Sequence, residues 1–70
     1  MSTVTNHDIR DHVILPSIGD DFDDETLDRI LDAVLEVAPV STWRLRNLQY
    51  VSDLMDDDTY WAIVEREGTR

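Results

Sequence analysis

DDETLDRILDAVLEVA, residues 23–38, is the stretch on which the fold turns. Leu27, Ile30, Leu31, Val34, Leu35 and Ala38 recur at i, i+3 and i+4, so a helix winds all six onto one apolar stripe. Asp23 is a fitting N-cap, Asp24 and Glu25 lie where the helix dipole is positive, and Pro39 stops the helix at Ala38. Glu25, Asp28, Asp32 and Glu36 run along the flank of the stripe. The segment therefore reads as an amphipathic helix with an acidic outer face, and Leu31 and Val34 are expected to be deeply buried.

A stripe of this kind needs other apolar faces, and the flanking sequence offers them. Towards the N-terminus, a helix is predicted over residues 5–15. Thr5 and Asp8 approximate a capping box, Ile9 and Val13 share a face, and Pro16 is expected to end the helix. Residues 16–21 then read as a loop, because Pro-Ser-Ile-Gly-Asp concentrates turn-forming side chains. Towards the C-terminus, Ser41 is a candidate N-cap for a helix reaching Met55, with Leu45, Leu48, Val51 and Met55 at helical spacing. At 100° per residue Trp43, Tyr50 and Leu54 form a second apolar line on that helix. With more than half its circumference apolar, such a helix would sit centrally or face an outside partner. After Asp56, Asp57 and Asp58, the last of them a natural N-cap, come Tyr60, Trp61, Ile63 and Val64. Their composition also suits a strand, but a lone strand would have no pairing partner, so a short helix is expected, with Thr69 and Arg70 frayed. The fold class that results is all-α: one domain over residues 1–70, a small bundle of three or four helices, with a C-terminal strand as the alternative.

Seventy residues make one domain at most, and so short a chain hides only about 60% of the surface it exposes when unfolded. The absence of cysteine excludes disulfides and thiolate metal sites, leaving helix packing or association as the supports. Residues 1–6 are polar, without the basic and apolar regions of a signal peptide, and no window approaches the roughly 20 apolar residues of a membrane span. A cytoplasmic location, or a place in a virus particle assembled there, is expected. Sixteen acids face six bases, a formal charge of −10; the acids are mostly Asp, and every base is Arg. An Asp-rich, Lys-free surface resembles that of proteins adapted to concentrated salt, where screening removes self-repulsion. Codon bias in a GC-rich genome gives the same composition, and so does an acidic surface shaped for basic partners or for nucleic-acid mimicry.

Little in the chain points to catalysis. His7 and His12 are five apart, about 140° around a helix, so they cannot share a metal ion as an i, i+4 pair does; His7 with Asp11 and Asp8 with His12 are the expected pairs. The acid clusters at residues 20–25 and 56–58 lack the order of a calcium-binding loop and read as caps and first-turn acids. Ser17, Ser41 and Ser52 have no nucleophile-elbow context, and the two glycines are too few for a phosphate cradle. No catalytic residue, metal site or cofactor is expected.

Three functions remain. The leading expectation is a noncatalytic interaction or assembly protein, with a protein partner or further copies of itself docking on Trp43, Arg44, Tyr50 and Leu54, since aromatics and Arg anchor interfaces. Alternatively, Trp61 and Val64 cover that line within one chain. A second expectation is a mimic of nucleic acid, with the carboxylates of Glu25, Asp28, Asp32 and Glu36 about 5 to 6 Å apart along one helix edge. The third is an acidic helix-turn-helix regulator reading DNA with Arg44 and Arg46. A charge of −10 repels phosphate and disfavours it.

Overall fold

The computed structural model describes residues 3–69 and has three helices and no strand among them. Helix α1 spans residues 6–18, α2 is Asp24–Val37 and α3 is Asp57–Gly68. Between α2 and α3 the chain runs through three short 3-10 turns, Val40–Thr42, Leu45–Leu48 and Val51–Asp53. The protein is an all-α bundle.

Helix α2 forms as its sequence dictates. Asp23 accepts a hydrogen bond from the Thr26 N–H at 2.9 Å, and Ala38 leaves helical geometry ahead of Pro39. Leu27, Ile30, Leu31, Ala33 and Val34 are buried, so the stripe is the centre of the core. Opposite it lie Ile9, Val13, Ile14 and Ile18 of α1 and Tyr60, Ile63 and Val64 of α3. The α3 segment is helical and not a strand; four buried positions, Tyr60, Ile63, Val64 and Glu67, fall on one face. Its N-cap is Asp56 instead of Asp58, which lies in the first turn beside Asp57. Thr69 lies just past the end of α3, its hydroxyl donating to the Glu65 carbonyl at 2.8 Å, and Arg70 lies outside the described residues. Phe22 closes the α1–α2 loop onto Gly68, where a Cβ would come within 2.6 Å of the ring.

Helix α1 departs from expectation at Pro16. The capping box is present, with Asp8 N–H donating to Thr5 Oγ1 at 3.2 Å and Thr5 N–H to Asp8 Oδ2 at 3.1 Å. Pro16 does not stop the helix, however; Leu15–Ile18 continues it. A π-helical turn over Arg10–Ile14, closed by Leu15 N–H to the Arg10 carbonyl, widens the coil just ahead of the proline. That widening relieves the clash between a proline ring and the carbonyl four residues back. Of the two expected histidine pairs, His7 meets Asp11 at 3.0 Å, whereas Asp8 serves the capping box and not His12.

Residues 40–54 are not the expected third helix, and two side chains account for it. The Trp43 indole N–H donates to the Ala38 carbonyl at 2.8 Å, which holds Trp43 in extended backbone and drives its ring into the core at 2% exposure. Asn47, itself buried, accepts the Arg44 N–H at 2.9 Å and donates to the Tyr50 carbonyl at 3.4 Å. Side chains that bond the backbone locally offer it an alternative to the helix ladder, and here the alternative is a chain of tight turns. Leu48, Val51 and Leu54 pack against the core from those turns, while Leu45 points outward.

Candidate functional site

The turns separate the residues expected to share an interaction face. Trp43 belongs to the core, Leu54 lies half-buried against it, and Tyr50 is 60% exposed. The Arg44 guanidinium donates to the carbonyls of Ser41 and Trp43, both at 3.3 Å, and Arg46 is paired with Asp53 at 2.7 Å. Both cations of the basic island are thus engaged locally. On α2, Glu25, Asp32 and Glu36 are exposed, but Asp28 lies 3.3 Å from the Arg10 Nε and Asp24 lies 3.5 Å from the Arg10 Nη2. An arginine from α1 therefore interrupts the carboxylate edge.

The arrangement that the fold does build lies elsewhere. A groove of about 320 Å³ opens between α1, the 3-10 turns and α3. Val13 and Pro16 form one wall and Leu48 and Val51 the other. Ser17 and Tyr60 also line the groove, their hydroxyls 2.8 Å apart, and Ser17 Oγ donates to the Val13 carbonyl at 2.8 Å. Burial raises the Tyr60 phenol pKa above its ordinary value, an effect the Ser17 bond partly offsets. Trp61 lines the groove at 51% exposure, its ring packed edge-to-face on Tyr60 with centroids 5.3 Å apart. His12, Gln49 and Asp57 complete the lining with polar groups.

No family model, curated protein or solved structure matches this chain. The π turn contributes His12 and Val13 to the groove, and interruptions of this kind in α-helices are frequent at functional sites. Ser17 is committed to Tyr60 and to backbone carbonyls. Among the described residues no three His, Asp or Glu side chains converge as a metal ion would require.

By sequence alone Trp61 is only a cover for the apolar line of Trp43, Tyr50 and Leu54. The signal that marks it is positional. The buried face of α3 follows Tyr60, Ile63, Val64 and Glu67, and Trp61 stands one residue, about 100°, away from Tyr60. A large aromatic one step off the apolar stripe lies on the flank of the helix, where core packing covers it only in part.

Proposed function

We propose that this chain is a noncatalytic protein-interaction module and that its docking surface is the groove between α1, the 3-10 turns and α3. The observation that carries this reading is the half-exposed Trp61, packed edge-to-face on Tyr60 at a groove with apolar walls. Rigid, partly exposed aromatics are the side chains that most often anchor interfaces, because they bury much area at little entropic cost.

The two alternatives gain less support. A nucleic-acid mimic needs an unbroken line of charge, and Arg10 partly neutralises it at Asp24 and Asp28. A helix-turn-helix regulator needs a recognition helix after α2, and residues 40–54 hold only 3-10 turns. No helix among the described residues is long and apolar enough to cross a membrane.

Photo-crosslinking tests the proposal. A benzophenone side chain at Gln49, on the groove, should join the chain to a defined protein in an extract of the cells that express it. The Trp61→Ser change should abolish that product. A product that survives the change places the interface elsewhere.

A further inference from the structure

The groove's occupant can be specified by charge, an inference that rests on the docking reading above. Several carboxylates have partners within the chain: Asp23 caps α2, Asp24 and Asp28 hold Arg10, Asp11 meets His7, and Asp53 meets Arg46; Asp20, Asp21, Glu25, Asp32, Glu36 and Glu65 have none among the described residues, but none of these six lines the groove. Asp56, Asp57 and Asp58, at the start of α3, are exposed, and among the described residues none of them has an ion pair or a side-chain hydrogen bond. Asp57 also lines the groove, and no arginine does. Asp57 and Trp61 are four residues apart on α3, so their side chains are neighbours on one face, with Cβ atoms about 5 to 6 Å apart. A carboxylate beside an exposed indole is a receptor for a guanidinium or ammonium, which can stack on the ring while pairing with the acid.

We infer that the groove takes a basic segment of another protein, with an Arg or Lys lying over Trp61 towards Asp57 and an adjacent apolar side chain set between Pro16, Leu48 and Val51. A second copy of this chain is a poor occupant, because it would bring another charge of −10 against the same unpaired acids.

Selection from a displayed library of random linear peptides tests this, with the full chain as bait and its Trp61→Ser variant as counter-selection. The expected winners combine Arg or Lys with a bulky apolar residue. Their binding should weaken roughly tenfold, about 1.4 kcal/mol, when Asp57 and Asp58 are both changed to Asn, and weaken further with added salt. Winners that depend on Trp61 but are neutral or acidic would overturn the inference and leave the docking surface standing. Finding no Trp61-dependent peptide would overturn both. Circular dichroism of each variant confirms that the bundle is intact.

Discussion

Helix α2 and the stretch from residue 40 to 54 both carry apolar residues at helical intervals, yet only the first is a helix. In α2 the intervals are doubled: Leu27 is followed at three and four by Ile30 and Leu31, and these by Val34 and Leu35. Such pairs trace a broad stripe that a turn of 3.6 residues keeps on one side. In the second stretch Leu45, Leu48, Val51 and Leu54 follow at intervals of three, and only Val51 is followed at both three and four, by Leu54 and Met55. That is the period of a 3-10 helix, in which residues i and i+3 eclipse. The caps separate the two regions as well. The Asp23 side chain satisfies one orphan N–H of α2, that of Thr26, whereas Asn47 spends its bonds within the turns and the Trp43 indole spends its own on the Ala38 carbonyl at the end of α2.

The largest effect expected from this contrast lies in α2. Ile30 is fully buried at the centre of the stripe, and Ile30→Ala should cost about 2 to 5 kcal/mol, much of the stability of a domain this small. Thermal unfolding should show a large fall in Tm, and an unchanged Tm would remove α2 from the core.

The 40–54 stretch should yield to a different change. Asn47→Ala removes two part-buried hydrogen bonds, to the Arg44 N–H and the Tyr50 carbonyl, at a cost of about 1 kcal/mol each. Chemical denaturation measures the loss. If Asn47 holds the turns, amide exchange should quicken from Arg44 to Tyr50 while α2 stays protected; uniform quickening would assign it no local role.

Salt should act on the whole molecule. Between 0.1 M and 1 M KCl the Debye length falls from about 10 Å to about 3 Å, so repulsion within a chain of charge −10 fades and Tm should rise. A flat response would favour codon bias over a saline habitat as the origin of the acidity.

Comparing an Asp23 variant with the wild type in acid isolates the α2 cap. Hydrogen bonds from Thr26, through its side chain and its backbone, hold the Asp23 carboxyl below its ordinary value of 3.8. A depressed carboxylate stabilises the fold at pH values above its unfolded pKa, and that contribution is lost as pH falls through the folded one. Asp23→Ala should therefore lower Tm at neutral pH, and the gap from the wild type should close below about pH 3.8. A gap independent of pH would show that the carboxylate charge is not what the cap uses.

The fold was legible where one physical signal dominated: the stripe of α2, its N-cap and proline stop, and the Thr5–Asp8 capping box. It was illegible where tertiary partners intervened. Nothing local says that Pro16 can be absorbed by a π turn, or that the Trp43 indole will find the carbonyl of Ala38. The expected interaction line failed for that reason, because Trp43 and Tyr50 share a face only if residues 41–55 are helical. The groove was illegible too, since its walls come from three segments distant in the chain. Trp61 alone left a trace, one step off the buried face of α3.

The central claim is that the two tryptophans divide the work, Trp43 holding the core and Trp61 meeting a partner. Hydrogen exchange at their two indole N–H groups, followed by NMR on the free chain and with the crosslinked partner added, tests it most directly. The account predicts that Trp43, bonded to the Ala38 carbonyl, is protected in both states, whereas Trp61 exchanges at once when free and slows or shifts in the complex. If instead the Trp43 indole is unprotected in the free chain and responds to the partner while Trp61 does not, the interaction face is the one built on Trp43, Tyr50 and Leu54, and the groove is not the site.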